Sequence, residues 1–244
     1  MRRRHAPSLA LSLALSLSLA ACAAPEPPDP AMDEQAGAAL LAKYEQARSD
    51  GNPELAERLG NELDDLHGKT TAATTMRESI DEVRRQAEEL REQRRLKELW
   101  DYQSIPVPGG TQHSAAIYSR VPPLNADSGL PPPRPDARLI LRRHPDWGES
   151  AYLVLEMSEL RCGPPCRLSI RFDDGEDQRF AGEPADTGTG PALFIKDRDR
   201  FLDGLDAAAQ VRIELPQSGA LAPVFRFEVA GFDRARYEAG RVKD

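Results

Sequence analysis

The chain is poor in the groups from which catalytic centres are built. Its 244 residues include four histidines, three cysteines and two tryptophans, and aromatic residues make up only 6%. His67, His113 and His144 show none of the spacing that metal ligands take on one helix or loop. No HExxH, GxSxG or phosphate-loop pattern occurs. Gly188-Thr189-Gly190 lacks the remainder of a nucleotide fingerprint. No catalytic residue, metal site or cofactor is therefore assigned, and a non-enzymatic role is expected. Basic residues are outnumbered, 32 Lys and Arg against 40 Asp and Glu, for a formal charge of −8. Such a balance gives no bulk attraction to nucleic acid or to an anionic lipid surface. The apolar stretch 6–21 is shorter than the roughly 20 residues that cross a bilayer comfortably.

What the N-terminus does contain is ordered. Arg2, Arg3 and Arg4 precede that apolar stretch of Leu, Ala and Ser, which ends in Leu19-Ala20-Ala21-Cys22. A basic start, an apolar run and a small-residue cut site make a secretory signal. The last four residues resemble the lipobox of bacterial lipoproteins. The resemblance implies removal of a signal peptide at 1–21 and lipidation of Cys22, with a diacylglyceryl group and further acylation such as palmitate. It also implies sorting by Ala23 and Ala24, whose place is not taken by Asp, to the outer membrane, facing the periplasm. Several chains are needed for retention, since one myristoyl chain binds only marginally and each buried methylene adds about 0.8 kcal/mol. Pro25, Pro27, Pro28 and Pro30 make 22–32 a semi-rigid tether.

Lipidation of Cys22 leaves Cys162 and Cys166 as an even pair. An exported protein folds in an oxidising compartment, so a disulfide between them is expected. Cys162-Gly163-Pro164-Pro165-Cys166 has three residues between its cysteines, where the thioredoxin motif has two and opens a helix. A staple across a tight turn is the favoured reading. A thiol-disulfide factor is the alternative.

The segment 33–103 is rich in Ala, Glu, Arg, Gln and Leu and is expected to be helical. Asp50-Gly51-Asn52-Pro53 breaks it, with Asn52 as N-cap and Pro53 at the first helical position. Leu55, Leu59, Leu63 and Leu66 form one apolar stripe. Met76, Ile80, Val83, Ala87 and Leu90, spaced four, three, four, three, form an a/d seam of about two heptads. That seam suits a helical hairpin or a short coiled coil, with self-association as an alternative and a spacer as a further use. Trp100 and Tyr102 close the helix, and Ile105-Pro106-Val107-Pro108-Gly109-Gly110 marks the domain boundary.

From 111 to 232 the texture is that of strands. Arg167 to Phe172 alternates with Leu168, Ile170 and Phe172 on one face, and Asp173-Asp174-Gly175-Glu176 reads as a hairpin turn rather than a calcium loop. Val211 to Leu215 and Val224 to Val229 alternate likewise, and 199–209 reads as a short helix with Phe201, Leu202, Leu205 and Ala208 inward. The residues 233–244 form a charged tail. The fold class expected is α+β in several parts: the helical segment, then an all-β antiparallel sandwich-like domain with one short helix.

Within that domain Arg142, Arg143, His144 and Trp147 cluster at a strand end of an otherwise acidic chain. Arg and Trp are enriched where binding energy concentrates. A docking patch for an anionic ligand or partner is one reading. The other places Trp147 in the core and pairs the arginines with surface acids.

Trp100-Asp101-Tyr102, Leu139-Ile140-Leu141-Arg142, Trp147-Gly148, Cys162 with Cys166, Arg171 to Gly175, Leu193-Phe194-Ile195 and Phe227 to Phe232 occur in an order that resembles a β-rich domain of uncharacterised proteobacterial lipoproteins. The domain is more distantly similar to accessory proteins associated with type VI secretion. The resemblance covers turn and core residues, so it implies fold and carries over no catalytic residue. A lipid-anchored binding protein is expected. Its partners would be the membrane, through the lipid, and an envelope protein or a cell-wall or lipid ligand, with no nucleic acid.

Overall fold

The computed structural model describes residues 30–120, 137–155, 162, 165–185, 192–216 and 223–239. The signal peptide, Cys22, Ala23, Ala24, the proline-rich stretch 121–136 and the end of the tail lie outside the described residues. The class is α+β, with six helices and nine strands among the described residues, and the chain divides into units at Val83 and Arg84. That division falls within a helix.

The first unit holds α1 (Pro30–Ser49), α2 (Pro53–His67), α3 (Thr71–Arg77) and the opening of α4 (Ile80–Glu98). Asn52 caps α2 as its position suggests, accepting from the Leu55 N–H at 3.1 Å, with Pro53 beginning the helix. Thr70 caps α3 by accepting from the Ala73 N–H. Helix α3 thus starts afresh at Thr71 within the segment expected to be helical. Leu40, Tyr44, Ala56, Leu63, Met76, Ile80 and Val83 share one core. Gly60 lets the elements approach, since a Cβ there would lie 2.5 Å from Ile80 Cδ1. The Tyr44 and Ser79 hydroxyls hydrogen-bond at 2.8 Å, and His67 Nδ1 meets Asp33 Oδ1 at 2.5 Å. The apolar face of α2 is rotated from the stripe read in the sequence: Ala56, Gly60 and Leu63 are buried, Leu55 and Leu59 partly so, and Leu66 is 64% exposed.

The second unit is one nine-stranded antiparallel sheet. Its strands are β1 (Asp101–Val107), β2 (Gly110–Tyr118), β3 (Ala137–His144), β4 (Gly148–Leu155), β5 (Arg167–Phe172), β6 (Gln178–Pro184), β7 (Ala192–Ile195), β8 (Gln210–Glu214) and β9 (Val224–Glu228), in spatial order β1-β2-β3-β4-β7-β6-β5-β8-β9. Two short helices, α5 (Arg198–Ala207) and α6 (Arg234–Glu238), follow β7 and β9.

Two boundaries move. Helix α4 ends at Glu98, and Asp101–Val107 is a strand, so Tyr102 does not close a helix. Ile105 to Gly110 is a β-hairpin rather than a boundary: Val107 pairs with Gly110 across Pro108-Gly109. Gly109 has φ +85°, as the third position of a type II turn requires, with proline before it. Pro106 is tolerated because β1 is an edge strand of the sheet. The stretch 233–244 is likewise not all tail. Asp233 caps α6 by accepting from the Arg236 N–H, and Tyr237 is buried.

Strand alternation gives the sheet one apolar face, including Ala115, Leu139, Leu141, Ala151, Leu153, Leu168, Ile170, Val211, Ile213 and Phe227. The sheet curls over it, and beyond β2 the Arg120 N–H donates to the Arg226 carbonyl of β9 at 2.7 Å. Helix α5 adds Phe201, Leu202 and Leu205 to this core. Asp173, at φ 49°, fastens the β5–β6 turn to β8, accepting from the Ala209 and Gln210 N–H groups at 2.9 and 2.8 Å. Arg95 Nη2 reaches Glu228 Oε1 at 2.9 Å, holding the last turns of α4 to β9.

Gly231 lies under the same helix end. A Cβ there would sit 2.1 Å from the Leu96 carbonyl oxygen, a backbone atom that cannot rotate away. Gly231→Ala is expected to destabilise the second unit by about 1–3 kcal/mol, visible as a lower melting temperature by circular dichroism.

Candidate functional site

The register of β3 and β4 decides which of the clustered residues meet. Neighbours along a strand point to opposite faces. Leu141 and Ala151 are paired and buried in the core, so Arg142 and its cross-strand partner Ser150 lie on the outer face. The same rule places Arg138, Ile140, Tyr152 and Val154 there, and Tyr152 pairs onward with Phe194 of β7.

On this face the Arg142 guanidinium carbon lies 5.2 Å from the Trp147 ring centroid and 5.4 Å from that of Tyr152. Trp147 is 68% exposed, so it is not a core residue. It is nevertheless fixed. Its ring stacks on His144 at 3.8 Å with 14° between the planes. The His144 Nδ1 accepts from the backbone N–H groups of Asp146 and Trp147 at 3.1 and 3.4 Å. Gly148, at φ +69°, completes the turn with the positive φ that such three-residue hairpin loops need. Tyr152 packs on Phe194 with centroids 5.1 Å apart. Two rows along β3, Arg138 lies over Tyr118 at 5.1 Å and pairs with Asp101 at 2.9 Å.

Arg143 belongs elsewhere. Alternation turns it to the other side, where its Nε donates to Glu149 at 3.0 Å and its Nη1 donates to the Tyr237 carbonyl at 3.4 Å. Glu149 also pairs with Arg198 at the start of α5. Arg143 is thus part of an ion network and apart from Arg142. Of the four residues read as a patch, Arg142, His144 and Trp147 come together. Tyr152, Ser150, Arg138 and Tyr118 join them, and the alternation already legible in 137–143 and 150–157 was the signal that could have found them.

Three side-chain atoms of this face are buried and have no hydrogen-bond partner among the described residues: Arg138 Nε, Arg142 Nε and Ser150 Oγ. No carboxylate lies against Arg142 among the described residues. Burial, partly offset by the charges of Arg142 and Arg138, raises the Tyr152 phenol above the usual value.

The remaining sequence candidates fall within the cores. Cys162 and Cys166 form a disulfide with Cα atoms 5.3 Å apart, and both belong to the β core. Strand β6 crosses beneath it, with Gly182 so close that a Cβ would lie 2.7 Å from Cys166 Sγ. A shallow cleft of about 440 Å³ beside the disulfide is rimmed by the Lys196–Glu183 ion pair. Met76, Ile80 and Val83 are taken up in the core of the helical unit, and Met76 sits in α3, separated from Ile80 by a break at Glu78-Ser79. Ala87 is buried and Leu90 is 41% exposed. Among the described residues, no group of three or more His, Cys, Asp or Glu is arranged to hold a metal, and no helix is long and apolar enough to cross a membrane.

Tyr102, whose oxygen accepts from the Asp233 N–H at 2.6 Å, is also raised, first by burial. A phenol with a raised folded pKa stabilises the fold fully below its unfolded value, and that contribution is lost as pH rises through the folded value. Denaturant stability is therefore expected to fall above about pH 10. In an alkaline titration followed by ultraviolet absorbance, Tyr152→Phe is expected to remove a step lying above the usual phenol range.

No family model matches the chain, and no curated protein does. One solved structure, the crystal structure of invasion associated protein B from Bartonella henselae, is similar at a TM-score of 0.36 and 12% identity, over 55% of this chain and 84% of that one.

Proposed function

We propose that this protein is a lipid-anchored binding module of the bacterial envelope. It is held by Cys22 at the periplasmic face of the outer membrane and is without catalytic activity of its own. On this reading the helical unit is built on a hairpin, and the curled sheet is a sandwich stapled by Cys162–Cys166. The outer face of β3 and β4 is what it presents. One observation carries the reading: an exposed tryptophan locked in place beside an arginine that no carboxylate among the described residues neutralises. Trp, Tyr and Arg are the residues in which interface energy concentrates, and a fixed ring loses little freedom when covered.

The packing of the disulfide favours a staple over a redox centre. Both cysteines belong to the β core with β6 against Cys166, and the cleft that they line is shallow. Native protein is expected to resist alkylation after mild reductant and to react once unfolded. Replacing both cysteines by serine should cost ~2 kcal/mol on the chain-entropy account of a short loop. Rapid labelling of the native protein would favour the thiol-disulfide factor.

Two experiments test the rest. A photo-cross-linking residue in place of Trp147 in intact cells is expected to trap a discrete adduct, and one in place of exposed Leu66 is not. Equal yields, or none at Trp147, would remove the docking face. Cys22→Ala should release the protein from the membrane fraction. Unchanged fractionation would remove the anchor.

A further inference from the structure

The cation inventory of the outer face narrows what can dock there. Arg138 is paired with Asp101, and Lys196 at the end of β7 with Glu183. Among the described basic residues of β3 and β4, Arg142 alone has no carboxylate beside it, since Arg143 is tied to Glu149. Its guanidinium is held between two rings, and its Nε–H is buried without an acceptor. The Ser150 hydroxyl opposite is buried and unpartnered as well. A buried donor without an acceptor is costly, and a charged one more so. Across the strands Arg142 faces Ser114 and Ser150, and farther along the face Ile140, Tyr152, Val154 and Phe194 are all half-buried.

One such cation on β3 and β4, with half-buried apolar side chains along the same face, matches one anion, not many. A membrane surface is recognised by several basic residues, each contributing on the order of 1 kcal/mol, and a chain of charge −8 is repelled by an anionic bilayer. A guanidinium is planar and takes a carboxylate through two parallel bonds. Apolar surface ringing a charged anchor is the anatomy of a protein–protein contact. We infer that the Arg142 slot between Trp147 and Tyr152 receives a single carboxylate carried on an apolar segment of a protein partner. The inference rests on the docking reading above and adds the chemistry of the occupant.

The test uses the full chain and a displayed library of random twelve-residue peptides. Selection on wild-type protein, with counter-selection on Arg142→Met, is expected to enrich peptides with one Asp or Glu among apolar residues. For an enriched peptide, changing that Asp to Asn or Glu to Gln should weaken binding to wild type at least about tenfold and leave residual binding to Arg142→Met unchanged. Arg142→Lys, which keeps the charge but not the planar fork, should fall between. Because Arg142 Nε lacks an acceptor, Arg142→Met is expected to melt no lower than wild type. Should it unfold, Ser150→Val is the second variant, with weakened peptide binding expected.

Enriched peptides that need Trp147 but tolerate loss of their acid would overturn the carboxylate and leave the docking face standing. Binding to phosphatidylglycerol vesicles in place of any peptide would overturn it in favour of lipid. No enrichment and no vesicle binding would overturn it as well. A Trp147 adduct in cells in any of these cases keeps the docking reading separate from this one.

Discussion

A one-sided antiparallel sheet has to hide its apolar face, and in the second unit that requirement governs nearly everything else. The described helices of this unit include only two short ones after the sheet begins, α5 and α6. They cannot cover nine strands, so the sheet covers itself. It curls until the chain beyond β2 hydrogen-bonds to β9, and the two halves of the apolar face share one core. The latches at Asp173, Tyr102 and Arg95 all fasten loops or helix ends to this curl.

The outer face is a consequence of the inner one. Once Leu139, Leu141, Ala151 and Leu153 are committed to the core, the period of two sends Arg138, Arg142, Ser150 and Tyr152 outward. Long planar side chains lie flat on a sheet surface and stack, and this one carries a row of arginine–ring pairs. The β3–β4 turn then sets Trp147 over His144. The same alternation separates Arg142 from Arg143. Among the described residues one has no counter-ion and the other is tied to Glu149. Neighbours in sequence thereby acquire unlike roles.

Much of this was legible in advance, and the failures have physical causes. The alternating runs at Arg167–Phe172, Val211–Leu215 and Val224–Val229 are strands or flank them, and the inward face of α5 is the one read from its spacing. The Cys162–Cys166 pair closes as the cysteine count suggested. Strand β1 was hidden because two prolines and two glycines look like a linker, whereas an edge strand accepts Pro106 and a type II turn needs Gly109. The seam from Met76 to Leu90 looked continuous because a break at Glu78-Ser79 leaves its four-three spacing intact. Trp147 carried two readings because composition does not say which residues a turn leaves in solvent. Deciding it required the register of β3 against β4, which is a tertiary fact.

The chain has two tryptophans, and they differ in the property the account turns on. Trp100 is 5% exposed and Trp147 is 68% exposed. Fluorine resonance of the full chain labelled with 5-fluorotryptophan reports both at once. The account predicts that the Trp147 signal shows a solvent isotope shift in the purified protein. It also predicts that this shift is lost when unlabelled envelope extract is added, with the Trp100 signal unshifted. A Trp147 signal insensitive to solvent in the purified protein, or one that keeps its full isotope shift in the extract, would contradict it.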